Sequence, residues 1–322
     1  MALLRQCKSL TKDGTESVSC PSCNSYRIAY IGKIPRMSIC AGNILPISFL
    51  TSGHLLKCLK CNLQFRWPRF NKDLLRRIYQ VGNPENWQYE FKNRKDWQMA
   101  AEWVSEKVAV GSILDIGCWD GKFLESLKNG LGLYGVEINS YATEKATSKG
   151  IKIVARDIHE LNNPAMEFDV ITAFDFIEHV EDPFKFISLI SRLTGENGYI
   201  IISSGNAEAI TRKICGSKYW YCTLPEHISF INKYWCDFVA KKLNLEIAHA
   251  EKFSHAGGIT FKTVVSDLIK NLTYIFCPSL FCVLRKIRRI YFNNGSNSNN
   301  IYEHPPSWLS AKDHLVVIFK KK

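Results

Sequence analysis

No stretch of this 322-residue sequence reaches the ~18–20 consecutive apolar residues that span a bilayer, which excludes a helical membrane anchor of the usual length. The opening residues MALLRQCKSLTKDG are too polar, and their apolar run too short, for a secretory leader, so a cytoplasmic protein is expected. There are no internal repeats, and no G-x-G-x-x-G turn on which a pyrophosphate can lie. Positive charge is scarce in the middle of the chain: residues 111–250 hold 14 Lys and Arg against 18 Asp and Glu, a net −4. The flanks are opposite in sign, +9 over residues 1–110 (17 against 8) and +7 over residues 251–322 (11 against 4). Such flanks favour a phosphorylated ligand, an anionic membrane or nucleic acid.

Cysteine, by contrast, is plentiful at 12 residues, and four of them form two CxxC pairs, Cys20-Pro-Ser-Cys23 and Cys58-Leu-Lys-Cys61. In a reducing compartment two such knuckles joined by a strand-rich loop read as a zinc ribbon over residues 18–68, with four thiolates closing a structural site. Cys40 and His54 lie inside the loop as substitute ligands. Residues 1–17 show no periodicity and read as a loose tail. Residues 69–110 read as a helical connector: a short basic helix over 71–80, then a longer one starting at Asn83-Pro84-Glu85 and running through Trp87, Phe91, Trp97, Ala101 and Val104. Its aromatics, Tyr89 foremost, either wall a pocket or pack on a sheet.

The centre of the chain is GSILDIGCWDGKFLESLKNGLGLYGVEI, residues 111–138. Ile113–Ile116 is an apolar strand, Gly117 and Gly121 form a turn, Phe123, Leu124 and Leu127 follow at helical spacing, and Leu133–Ile138 is a second strand. This βαβ unit places its glycine turn where open α/β sheets bind ligands. Asp115 stands before the first glycine and would repel a pyrophosphate but suits a cation. Glu137, 22 residues on, suits the two hydroxyls of a ribose. A ribose, a positive charge and no pyrophosphate point to S-adenosylmethionine (SAM).

LDIGCWDGKFL, YGVEIN, ARDI, FDVITAFDFIEHVEDP and NGYIIIS follow in the order and spacing of class I SAM-dependent methyltransferases, and the chain resembles the small-molecule branch of that family. The resemblance covers roughly residues 111–250, with Trp119 departing from the commoner glycine. It implies a seven-stranded doubly wound (Rossmann-like) α/β sheet, preceded by the zinc ribbon and connector. It also implies cofactor contacts at Asp115, Gly117, Cys118, Gly121, Glu137, Asp157, Ile158 and Phe174, with Asp157 accepting from the adenine amino group. The strands expected are 151–158, 168–174, 198–203, 245–251 and a final antiparallel one at 314–320. The methyltransferase domain is then 111–253 completed by 311–322, with a basic insertion at 254–310 containing the linker 295–300.

Two acid–histidine pairs sit in loops at strand ends, Glu178-His179 and Glu226-His227. Histidine titrates near working pH and suits removal of an acceptor's proton. His227 is the favoured base or substrate ligand, with Glu226 orienting it and Tyr219, Trp220 and Tyr221 closing the pocket; His179 is the other candidate. PEHISF, together with the CxxC pairs, resembles sugar C-methyltransferases and methyltransferases of surface-polysaccharide clusters. The acceptor expected is a phosphorylated sugar or glycan. An RNA methyltransferase is the alternative, favoured by the ribbon and basic flanks. Against a nucleic-acid partner, strand 4 ends in AFDFIEH rather than (D/N)PP(Y/F), and no Pro-Cys nucleophile stands there. A scaffold without turnover is a third reading. Residues 272–292 join an apolar run broken by Pro278 to Arg285, Lys286, Arg288 and Arg289. They read as a substrate lid or as a membrane-interface segment holding the protein peripherally at the inner face of the membrane.

Overall fold

A computed structural model describes residues 18–35, 39–40, 43–44, 53–69, 73, 75–76, 79, 90–127, 130–161, 166–256, 259–292, 304–308 and 310–322. The tail 1–17, the linker 295–300, Trp87 and Tyr89 lie outside the described residues, as do the side chains of Cys40, Arg288 and Arg289.

The N-terminal strands are β1 (Ile28–Ile34), β2 (Gly53–Cys58) and β3 (Gln64–Trp67), each antiparallel to the next. A minor ladder pairs Ile39–Cys40 with Asn43–Ile44. The connector's long helix begins later than its apolar pattern suggests. Phe91–Asn93 is a single 3₁₀ turn, Arg94 is extended, and α1 runs over Lys95–Lys107. The break lets Arg94 turn inward, where it binds two carboxylates described below.

The main sheet contains β4 (Gly111–Ile116), β5 (Leu131–Val136), β6 (Lys152–Ala155), β7 (Phe168–Phe174), β8 (Thr194–Gly205), β10 (Leu245–Phe253) and β11 (His314–Lys321); the two-residue β9 (Ser229–Phe230) lies elsewhere. Its order is β10-β11-β8-β7-β4-β5-β6. The five strands from β4 to β8 are parallel to their neighbours, and β11 is antiparallel between β8 and β10. This is the seven-stranded α/β sheet expected, with its last strand inserted near one edge. β6 ends at Ala155, earlier than expected, because Asp157 caps a 3₁₀ turn over Ile158–Glu160. β5 ends at Val136, which leaves Glu137 just beyond the strand.

The sheet's central runs Ile113–Leu114, Val170–Ile171, Ile200–Ile202 and Leu315–Phe319 are apolar at consecutive positions because both faces are covered there. Leu114, Ile116, Ile200, Ile202, Val317 and Phe319 pack on one face with α4 (Pro183–Leu193) and α5 (Lys233–Leu243). Ile113, Ile201, Val316 and Ile318 pack on the other with α1, α2 (Lys122–Glu125) and α3 (Ser140–Ser148). Asp182 caps α4 through its bond from the Lys185 amide (2.9 Å), with Pro183 at the first helical position.

The N-terminal module does not stand apart. β9, from the segment after β8, adds to β3 and makes a four-stranded sheet β1-β2-β3-β9. Cys20, Cys58, Cys61 and Leu63 belong to the same buried cluster as Leu114 and Ile171 of the main sheet. The insertion forms two helices, α6 (Phe261–Phe276) and α7 (Pro278–Phe292), because Pro278 ends one run and opens the next.

Candidate active site

The glycine turn is left-handed where glycine is needed. Gly117 and Gly121 both have φ 75°, and a side chain at Gly117 would meet the Phe176 ring at 2.9 Å. Both the Gly117 and Cys118 amides bond the Val136 carbonyl (2.9 and 3.2 Å), tying the turn to the end of β5. Trp119, itself at φ 49°, donates its amide to Glu137 Oε2 at 3.0 Å, while the Asn139 amide donates to Oε1 at 2.8 Å. The backbone at position 119, which glycine would offer equally, therefore helps to fix the acid at the end of the second parallel strand. Burial raises the Glu137 pKa, partly offset by these amides. Asp115 is buried and accepts from Thr172 Oγ1 (2.7 Å); burial pushes its pKa up to about 7. Cys118 is buried beside it, its thiol also raised by desolvation. Asp157 takes the His159 amide (3.0 Å), Ile158 is buried, and half-buried Phe174 packs edge-on to Phe123 at 4.7 Å. These residues line up at the carboxyl ends of β4 to β7.

Phe176, which covers Gly117, leads into the 3₁₀ turn Ile177–His179. The segment after β8 comes back against that turn, where the Ile228 amide bonds the Glu178 carbonyl at 2.8 Å. His179 and His227 thereby meet with ring centroids 4.9 Å apart. His227 Nδ1 donates to the Tyr221 carbonyl at 2.9 Å, and burial, with His179 beside it, holds its pKa well below 6.5. His179 Nδ1 lies 2.7 Å from the Tyr79 hydroxyl and 3.1 Å from the Glu226 carbonyl. The Glu226 carbonyl thus meets His179, and the Glu226 charge acts on the same ring by raising its pKa against the lowering effect of burial.

Glu178 is wholly buried, accepts from the Tyr221 hydroxyl and from Ser204 Oγ (2.9 Å), and is pushed up to about 8 by burial. Ligand atoms of Glu178, His179 and His227 lie within 4.8 Å of one another, but the Glu178 carboxyl is already engaged by two hydroxyls. Two of the three aromatics expected to close around an acceptor face inward instead. Tyr219 bonds Asp313 at 2.5 Å and Tyr221 bonds the Gly205 amide at 2.9 Å, so both are braces.

A second cluster has no local sequence signature. Arg94 Nη2 holds Asp96 at 2.6 Å and Asp175 at 2.9 Å, and Ser203 donates to Asp96 at 2.6 Å. Burial would raise the Asp96 pKa, but the Arg94 guanidinium overrides it and keeps the carboxyl below its usual value. His255 lies beside this group, and its two ring nitrogens and Asp175 Oδ1 are buried without a hydrogen-bond partner. Asp175 sits at φ 46°, immediately after β7 and two residues before the histidine turn. That loop position was the one available signal. Arg94 and His255 are brought in from 81 and 80 residues away along the chain.

The four CxxC cysteines converge. Cys20 and Cys61 Sγ are 3.5 Å apart, as are Cys23 and Cys58, and all four lie within 4.8 Å. A tetrahedron with metal–sulfur bonds of ~2.3 Å has sulfur–sulfur edges of ~3.8 Å, so the set fits zinc. The Ser22 and Lys60 amides point at Cys20 (3.5 Å) and Cys58 (3.4 Å), a contact that suits thiolates. His54 packs at a tilt against Tyr30 and is not one of the four converging ligands.

Parallel strands, a left-handed glycine turn after the first and a buried acid after the second define an α/β domain of the Rossmann-like class, with its crevice at the strand carboxyl ends. The chain belongs to the methyltransferase-domain family, whose model matches residues 85–250, just over half of it. The ubiquinone biosynthesis O-methyltransferase of Coxiella burnetii is 30% identical over 123 residues, covering 35% of this chain and 53% of that protein. The chain thus spans about half the length of that relative. The corresponding Pseudomonas fluorescens protein is 23% identical over 197 residues, covering 57% of this chain and 81% of that one. Magnesium protoporphyrin IX methyltransferase from Synechocystis, solved with bound S-adenosylhomocysteine, is 12% identical with a TM-score of 0.48, covering 78% of this chain and all of that one. The segment matched is thus a methyltransferase domain.

Proposed function

We propose that this protein methylates a small hydroxyl-bearing acceptor, a sugar or glycoconjugate linked to a nucleotide or lipid, within polysaccharide or deoxysugar biosynthesis. SAM, when bound, supplies an electrophilic methyl group. Asp115, with Cys118 and the Gly117–Gly121 turn, would face its cationic methionine end, Glu137 its ribose hydroxyls, and Asp157, Ile158 and Phe174 its adenine side. With that methyl group supplied to the acceptor oxygen, the chain's own part would be to take the acceptor's proton on an imidazole.

The observation that carries this reading is the paired histidines. His227 Nδ1–H is fixed on a carbonyl and the ring is kept neutral by burial, which leaves Nε2 with its lone pair available as a base. His179 stands beside it as the second candidate. Asp175 Oδ1 and the His255 nitrogens offer an acceptor and a donor with no protein partner, the complement of a hydroxyl. The relatives' names, which specify O-methylation in ubiquinone biosynthesis, support oxygen as the methylated atom. The four thiolates would hold structural zinc. The RNA alternative loses ground because the open edge of β3, a natural place for a ligand strand, is taken by β9. Protein incubated with methyl-labelled SAM should transfer label into a nucleotide-sugar or lipid-linked glycan extract. Label appearing in RNA instead would overturn the reading.

A further inference from the structure

α6 is amphipathic the wrong way round for a helix lying on a protein core. Its buried residues are Asp267, Asn271 and Tyr274. Asp267 accepts from the Ser310 amide and hydroxyl (both 2.9 Å), and Asn271 Oδ1 accepts from the Cys215 thiol at 3.7 Å. The polar residues are therefore the ones that attach the helix. Outward from it stand Phe261, Val265, Leu268 and Ile269, with Phe261 84% exposed and Phe276, at the helix end, 82% exposed. α7 continues the surface with Leu280, Val283, Leu284 and Ile287, all exposed. Of the 20 large hydrophobic residues exposed among the described residues, 11 lie between Ile259 and Ile287. Elsewhere such residues are scattered, which needs no explanation; a contiguous patch does.

The charge around the patch has one sign. Residues 254–292 contain six Lys and Arg and a single acid, Asp267, which is buried. Lys262 and Lys270 flank the depression formed with Phe261, Val265, Ser266 and Ile269. Neither helix is long and apolar enough to cross a membrane. An apolar face edged by lysines such as Lys262, Lys270 and Lys286, in a segment whose single acid is buried, is the composition of a surface that lies in a lipid interface. A second copy of the chain would bring the same basic rim against itself, so charge disfavours self-association there.

We propose that the α6–α7 hairpin is a membrane-docking surface for anionic phospholipid. Its apolar face enters the headgroup–acyl boundary, and its cations meet lipid phosphates. If the acceptor is lipid-linked, as one form of the function proposed above has it, the hairpin would bring the enzyme to it. The docking itself requires only the surface.

The test is co-sedimentation of the whole protein with vesicles of phosphatidylglycerol in phosphatidylcholine, against phosphatidylcholine alone, at low and high salt. Binding should need the anionic lipid and weaken as salt rises. Replacing Phe261→Ser and Ile269→Ser together, both solvent-facing, should reduce partitioning about tenfold or more. SAM affinity of the variant, measured by calorimetry, should equal that of the wild type. This shows that the fold survives and keeps a failure of docking separate from a failure of the methyltransferase reading. Absence of binding to anionic vesicles at low salt would overturn the proposal. So would equal binding by the double variant, or a concentration-dependent dimer in lipid-free buffer that the same two substitutions abolish.

Discussion

His227 illustrates how one residue's burial decides its chemistry. The imidazole is taken out of water, placed near a second imidazole and above Arg66, and so kept neutral at pH values where a free histidine is partly charged. His227→Asn keeps the polar shape but removes the base; turnover should fall ~10²–10⁴-fold with SAM affinity unchanged. If His179→Asn shows that loss and His227→Asn is nearly wild-type, the base is in the turn after β7. The wild-type acid limb of turnover should lie below pH 6.5, because the pKa moves down on folding and the proton is lost earlier as pH rises. A limb above 6.5 would reject His227 as the group that titrates. At the cofactor end, Glu137→Ala removes an acid that two amides hold in place, and SAM binding should weaken by ~1.5–3 kcal/mol in calorimetry. Asp115→Asn tests the other end, where a bound cation should restore the ionised form that burial disfavours. An unaltered affinity in both variants would reject the crevice assignment.

Among elements, strands were far more legible than the contacts between loops. β7 was readable to the residue and β11 nearly so, because a strand covered on both faces is an unbroken apolar run; of β8 only the apolar middle was, since its ends at Thr194 and Gly205 lie in polar and glycine-rich sequence. The glycine turn was readable because Gly117 and Gly121 must be left-handed. The start of α1 was not, because Arg94 leaves the helix for Asp175, a partner 81 residues away that no local pattern announces. Nor was the tie between the N-terminal sheet and the histidine loop. Arg66, on β3, is buried and donates to the carbonyls of Cys222 (2.8 Å), Thr223 (3.2 Å), Leu224 (3.2 Å) and His227 (3.3 Å). A guanidinium suits this work because its donors form a rigid fork. Arg66→Ala leaves buried carbonyls without a donor and should destabilise the fold by about 2–4 kcal/mol. The histidine loop would also lose its brace, so turnover should fall by on the order of 10²-fold while SAM binding persists. Arg66→Lys, with one charge and no fork, should recover stability better than turnover. Loss of SAM binding in step with turnover would show a general collapse instead.

At the scale of the whole molecule, the boundaries drawn from composition, a ribbon at 18–68 and a methyltransferase domain from 111, do not mark independent units of packing. β9 leaves the segment after β8 to complete the ribbon's sheet, and the Trp235 indole of α5 donates to Ser22, between the first two cysteines, at 2.9 Å. Cysteine ligands and sheet residues share one buried cluster. Zinc in such a site would contribute ~10–16 kcal/mol of binding free energy by the measure of zinc-finger peptides, comparable with or above the ~5–15 kcal/mol net stability of an ordinary domain. Removing it should therefore release more than a peripheral module. The ribbon strands lose their anchor, β3 no longer holds β9 and Arg66, and the histidine loop and α5 lose their backing. Heating the metal-loaded protein should accordingly give one cooperative transition by both calorimetry and tryptophan fluorescence. A strong chelator, or Cys58→Ser, should lower the midpoint of that same transition and abolish turnover even where SAM still binds. Two resolved transitions, with the chelator moving only the smaller one and turnover preserved, would mean that the ribbon folds by itself and the catalytic loop does not depend on it.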